Sequence, residues 1–233
     1  MDDRKGSPGG TTQPNDPRAV PGEAALPPDP EWLTVARELR AMAQTGLAFT
    51  QDRFDRQRYL RLRELAGEML ARGTGGDTRA ILEVLGLDEG YATPKVDVRG
   101  AAFIDGRVLM VREITDGRWT LPGGWADIHQ SPMECVVREI LEESGFEARA
   151  LKLAAVRDYQ RSGHPRRNLD YIYKLFFICE ITGGEARPSD ETSEVAFFAR
   201  DVLPPLSLGR VIPAEIEEMF RHAENMALPT YFE

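Results

Sequence analysis

The amino-acid sequence predicts an α+β or α/β sandwich preceded by a small all-helical segment. Two observations carry this. From Trp32 to Leu85 apolar residues recur at helical spacing, and from Lys95 onward the period shifts toward strands. Those strands are mixed with a few helices, without regular βαβ alternation. The 233 residues suffice for one domain with a real core plus a small appendage.

The segments follow in order. Residues 1–30 are rich in Pro, Gly and Thr and nearly devoid of large apolar side chains. They cannot offset the entropy of ordering and read as a disordered tail. A helical domain is expected over residues 31–92. Trp32, Val35, Leu39 and Met42 mark its first helix, which Gly46 should end. A second helix is expected from about Asp52 to Ala71, and a third runs from an Asp77 N-cap to Gly86. These helices hold too few large residues for an independent core and should pack on the next domain or on a second copy. Arg53, Arg56, Arg58, Arg61 and Arg63 form a basic stripe on the second helix. A phosphate-binding surface is one reading. Interleaved Asp52, Asp55, Glu64 and Glu68 favour the other, solvated ion pairs on an exposed face.

Residues 93–233 are expected to form the main domain. Val96 to Ile104 and Val108 to Val111 flank Asp105-Gly106, a hairpin signal. Thr115-Asp116-Gly117 gives another turn before Trp119-Thr120-Leu121. A helix is expected over Pro132–Ser144, strands over Leu151–Val156, Tyr171–Ile181 and Val195–Phe198, and a last helix over Pro213–Ala223. His222 on that helix reads as a surface residue.

Composition narrows function. Hydrophobic residues make up 42% and charged residues 29%, a soluble globular profile without a membrane-length apolar run. Met1 to Gly6 lacks the apolar core of a signal peptide, and Cys135 and Cys179 are the sole cysteines, so a reducing cytoplasm is expected. The net charge of −9 counts against nucleic acid and suits a protein that holds a divalent metal.

The chemistry concentrates between Gly124 and Phe146. Ser131, Pro132 and Glu134 form a helix start with a capping box, and Gly145 stands at the C′ position. Glu139, Glu142 and Glu143 fall on one face of this helix. Three like charges near a helix C-terminus are destabilising unless a cation sits among them, and carboxylate oxygens are preferred ligands of hard ions such as Mg²⁺. Arg138 is placed to hold one of these carboxylates.

These residues resemble the Nudix hydrolases. The family signature runs Gly, five residues, Glu, seven residues, Arg-Glu, an aliphatic, any residue, Glu-Glu, any residue, Gly, and an aliphatic or aromatic. Gly124 begins it here, and Arg138-Glu139-Ile140-Leu141-Glu142-Glu143-Ser144-Gly145-Phe146 ends it without a gap, after the lead-in Leu121-Pro122-Gly123-Gly124-Trp125. One position departs: Gln130 stands where the first Glu belongs. Met42 to Leu47, Thr93 to Arg99 and Pro204 to Arg210 further resemble a bacterial subgroup with an N-terminal helical domain, similar to CDP-choline and ADP-ribose pyrophosphatases.

The resemblance implies an α/β/α sandwich with a mixed sheet. It also implies Mg²⁺- or Mn²⁺-dependent hydrolysis of a nucleoside diphosphate linked to another moiety, and a homodimer built through the helical domain. Glu139, Glu142 and Glu143, with the Gly123 carbonyl, are its implied metal ligands, and Glu139 and Arg138 its catalytic residues. Gln130 cannot accept a proton, so the base must come from elsewhere. Glu194 is the first candidate and Glu191 the second. The basic loop Gln160–Asn168 reads either as a phosphate contact, through Arg161, His164, Arg166 and Arg167, or as a solubilising hairpin tip. A rival to the enzyme is a nucleotide sensor whose catalysis has decayed, favoured by Gln130 and opposed by the intact glutamates.

Overall fold

The computed structural model describes residues 29–165 and 168–233. The tail expected over residues 1–30 therefore lies outside the described residues apart from Asp29 and Pro30, as do Arg166 and Arg167.

Three helices come first: α1 (Glu31–Phe49), α2 (Arg53–Thr74) and α3 (Thr78–Leu85). Asp52 caps α2 by accepting from the Phe54 and Asp55 amides, and Asp77 caps α3 through Ala80. Gly46 does not end α1; the helix continues through it to Phe49. Its role is close approach, because a Cβ there would sit 2.3 Å from the Tyr59 ring on α2. Leu33, Ala36, Ala66, Leu70 and Leu85 form the small buried core, completed by Leu169 from the sheet domain. The arginines of α2 pair along its surface, Arg58 with Asp55 and Arg61 with Glu64 and Glu68, as the solvated-face reading expects.

The sheet is built from β1 (Lys95–Ile104), β2 (Arg107–Glu113), β3 (Trp119–Thr120), β4 (Phe146–Asp158), β5 (Ile172–Gly184), β6 (Thr192–Phe198) and β7 (Tyr231–Phe232). Its order is β3-β2-β1-β5-β4-β7, with β6 also paired to β2. Pairings β1–β5 and β4–β7 are parallel and the rest antiparallel, so the sheet is mixed. Asp105 and Gly106 take φ of 50° and 69°, the left-handed pair that a tight hairpin needs.

Helices α4 (Pro132–Ser144) and α5 (Pro213–Glu224) cover the two faces. Val136 and Ile140 of α4 pack on Val98, Ala102 and Phe177, whereas Ile216, Met219 and Phe220 of α5 pack on Ala101, Met110 and Phe176. Alternation along β1 and β5 thus feeds two cores, one per face. Strand β4 is longer than expected, because its first half alternates Glu147, Ala148, Arg149 and Ala150, whose small inward residues leave a weak apolar signal. His222 is buried rather than on the surface, with Lys152 Nζ 2.9 Å from its Nδ1.

Candidate active site

A cavity of about 840 Å³ opens between α4, the ends of β1, β2 and β5, and three loops. Its acidic side is α4. Ser131 and Glu134 form the capping box, Pro132 takes the first turn and Gly145 closes the helix at φ 78°. The loop before α4 lies tightly on β1: Gly124 O accepts from the Val98 amide at 2.8 Å and Pro122 O from Gly100 at 2.9 Å. Only glycine fits at position 123, where φ is 141° and a Cβ would lie 2.0 Å from the Val98 carbonyl oxygen.

Glu139, Glu142 and Glu143 all line the cavity, with Arg138 and Gly123. Glu143 is buried and accepts the Gly123 N–H at 2.9 Å. Burial pushes its carboxyl up to about 8, although Arg99 and the Gly123 bond oppose this. Burial also raises Glu139, against the pull of Arg138. Arg138 is the hub. It pairs with Glu142 at 2.6 Å and with Glu139 at 2.9 Å, and donates to Asp127 at 2.8 Å and to the Gln130 Oε1 at 3.1 Å. Gln130 thus braces the arginine through a neutral oxygen, while Asp127 supplies a negative charge to it.

Sequence reasoning missed the other side. On β1, Arg99 forks onto Asp97 at 2.9 and 2.7 Å, and Lys174 of β5 stands 3.3 Å from the same carboxylate. All three are buried. Burial alone would raise the Asp97 carboxyl, but Arg99 and Lys174 outweigh it and hold it below the usual range. Arg210 reaches Glu113 at 2.8 Å, and both line the cavity. A signal existed at Asp97 and Arg99: opposite charges two apart in a strand share a face, and here they interrupt an otherwise apolar run.

Three of the expected site residues lie off the cavity lining. Glu194 lies outside the cavity lining, because the β2–β6 register sets it opposite Arg112, which it meets at 2.5 Å. Asp190 and Glu191 do line the cavity. His164 is not a cleft residue: it is buried, with Nδ1 2.9 Å from the Leu208 carbonyl and Nε2 3.0 Å from Glu215, and stacks on Tyr159 at 4.2 Å. Arg161 is exposed beside Asp158 at 3.5 Å and also lies off the lining. Tyr159, Asn168 and the half-exposed Trp125 form part of the wall instead.

Among the described residues no three His, Cys, Asp or Glu side chains stand gathered as a ready metal cage. Glu139 and Glu142 both pair with Arg138. The donor set nevertheless fits a hard divalent ion: three carboxylates and a backbone carbonyl, all oxygen, with Glu143 kept deep at a burial cost that a cation would relieve.

Residues 94–218 match the NUDIX domain, and residues 30–85 match the family described as UDP-X-like, N-terminal oligomerisation domain. The chain belongs to the Nudix family and is a Nudix hydrolase. It is 42% identical over 201 residues to the Bacillus subtilis protein YjhB, provisionally named an ADP-ribose pyrophosphatase, covering 85% of this chain and 96% of that one. Among solved structures, a UDP-X diphosphatase is 34% identical with a TM-score of 0.56, over 87% of this chain and 98% of that one. An ADP-ribose pyrophosphatase from Streptococcus suis is 37% identical with a TM-score of 0.56, over 60% of this chain and all of that one.

Proposed function

We propose that this chain is a pyrophosphohydrolase dependent on Mg²⁺ (or Mn²⁺) that cleaves a nucleoside diphosphate linked to a second moiety, of the CDP-choline or ADP-ribose type, into a nucleotide and a phosphorylated remainder. One observation carries the reading: a three-carboxylate helix face and the cations Arg99, Lys174 and Arg210 line one cavity of a size that suits such a substrate. The names of the relatives support the ADP-ribose form of it.

Glu139, Glu142, Glu143 and the Gly123 carbonyl would hold the metal. Bound there, a divalent cation neutralises pyrophosphate oxygens and lowers the pKa of an attacking water. Arg138 keeps Glu139 and Glu142 in place. Arg210 and Lys174 add positive charge on the side where the phosphates lie. Trp125 offers a flat apolar surface at the mouth for a nucleobase. Glu191 accepts the proton of the attacking water; it replaces Glu194 because it lies on the cavity wall. The decayed-sensor alternative loses its main support, since Gln130 still accepts the Arg138 hydrogen bond that holds the hub.

The helical segment serves as a homodimer interface in this reading, supported by the family it matches and by exposed Met42, Phe49, Phe54 and Val84. The reading places the protein in the cytoplasm; both cysteines are free and buried, and no helix among the described residues is long and apolar enough to cross a membrane. Product analysis with ADP-ribose, CDP-choline and nucleotide sugars, with and without Mg²⁺, tests the function. Mg²⁺-dependent release of a nucleoside monophosphate is expected, and no turnover of any member of the panel would refute it.

A further inference from the structure

The segment Asn168–Tyr171 precedes β5 in the catalytic domain, yet its anchors lie in α1, some 130 residues earlier in the chain. Arg37 is buried. It donates through Nε to the Asn168 carbonyl at 3.0 Å and again through Nη2, is fixed by Asp29 at 2.5 Å, and lies 5.9 Å from the Tyr171 ring centre. Arg40 bridges Asp170 at 2.7 Å and Asp88 at 2.5 Å, the latter just beyond α3. Lys95 meets Asp170 from the start of β1 at 2.9 Å. Burial alone would raise Asp170, but Arg40 and Lys95 outweigh it and hold it ionised below the usual range. Leu169 packs with the helical core.

Asn168 itself stands at a junction. It lines the catalytic cavity and also an apolar cavity of about 550 Å³ walled by Trp32, Leu33, Leu70 and Ile81. An appendage that served only to pair two chains has no need to grip this segment by two arginines and a half-buried leucine. Each anchor fixes backbone or side chain within three residues of a cavity-lining position, and a misplacement of about 1 Å in a substrate wall is costly.

We propose that α1 positions the substrate cavity within its own chain, with Arg37 and Arg40 as positioning residues that hold Asn168 against the bound nucleotide. The proposal rests on the pyrophosphohydrolase reading for the identity of the ligand. It makes the helical segment part of the machinery for substrate capture, whatever its role in assembly.

The test uses the full chain and the non-hydrolysable probe α,β-methylene-ADP. Arg40→Met should speed amide hydrogen exchange at Leu169, Asp170 and Ile172 about tenfold and weaken probe binding about five- to tenfold. On a substrate, KM should rise by a similar factor while kcat changes by less than about threefold. Arg40→Lys should recover part of each effect, since it keeps the charge opposite Asp170. Arg61→Met on the exposed face of α2 is the control and should change none of them. Unchanged exchange or binding in Arg40→Met overturns the proposal, and so does an equal loss in Arg61→Met, which would mean general loosening. A wild type that does not bind the probe counts instead against the nucleotide reading, and the exchange rates then decide the clamp on their own.

Discussion

The acidic side of the cavity comes from one stretch of chain, Gly123 to Gly145, whereas the cationic side is gathered from β1, β5 and the loop before α5. The two are also stabilised differently. On α4 the carboxylates are held at a cost: burial drives Glu143 up to about 8, and Glu139 and Glu142 share one Arg138. Across the cavity each cation has its acid, Arg99 with Asp97, Lys174 with the same Asp97, and Arg210 with Glu113. One side thus offers oxygen donors to a cation, and on the other the ion pairs also hold the fold. Substitutions should therefore cost activity with little stability on the first, and stability as well as activity on the second.

The largest effect is expected on α4. Glu142→Gln or Glu143→Gln should lower turnover by about 10³-fold or more and weaken Mn²⁺ binding measured by calorimetry, on the scale of lost charge stabilisation. The melting temperature of Glu143→Gln should hold or rise, because a buried carboxylate gives way to a neutral amide. A variant that melts far below wild type would show that the acidic side also holds the fold.

Lys174→Met should behave in the opposite way. It leaves Asp97 without one of its two cations and also removes a positive charge that keeps buried Glu215 ionised. A loss of about 3–5 kcal/mol of unfolding free energy is expected, the usual scale for breaking a buried ion pair from one side. Urea unfolding measures it, and a loss under about 1 kcal/mol would erase the contrast between the two sides.

The two loop carboxylates should differ as well. Glu191→Gln should lower kcat about 10²-fold, and Glu194→Gln, which removes only the exposed pair with Arg112, less than about threefold. The reverse ranking in steady-state assays would make Glu194 the base. The smallest effect belongs to Gln130→Glu. Its side chain already accepts from Arg138, so the change adds charge to a contact that exists, and kcat should move by less than about tenfold. A large gain would reveal a crippled enzyme and revive the sensor reading.

This contrast also explains what the sequence discloses. The acidic side is local: capping box, helix face and closing glycine lie within twenty-three residues, so spacing alone places Glu139, Glu142 and Glu143 on one face. The Asp105-Gly106 hairpin and the caps of α2 and α3 are legible for the same reason. The cationic side depends on β1 pairing in parallel with β5, a contact between residues some 77 positions apart that no local pattern encodes. Register with Arg112 sets where Glu194 lies, and a basic loop folds His164 inward onto Glu215; neither is encoded in a local pattern. Gly46 misled in a further way: the same residue that ends helices also lets two helices touch.

The α4 carboxylates are proposed to hold a catalytic divalent cation. Hydrolysis of ADP-ribose and CDP-choline should be followed in EDTA and again after Mg²⁺ is restored, for the wild type and for Glu142→Gln. No turnover of either substrate is expected in EDTA, with recovery in the wild type on adding Mg²⁺ and little recovery in Glu142→Gln at the same concentration. Full turnover in EDTA, or equal recovery in the variant, would contradict it.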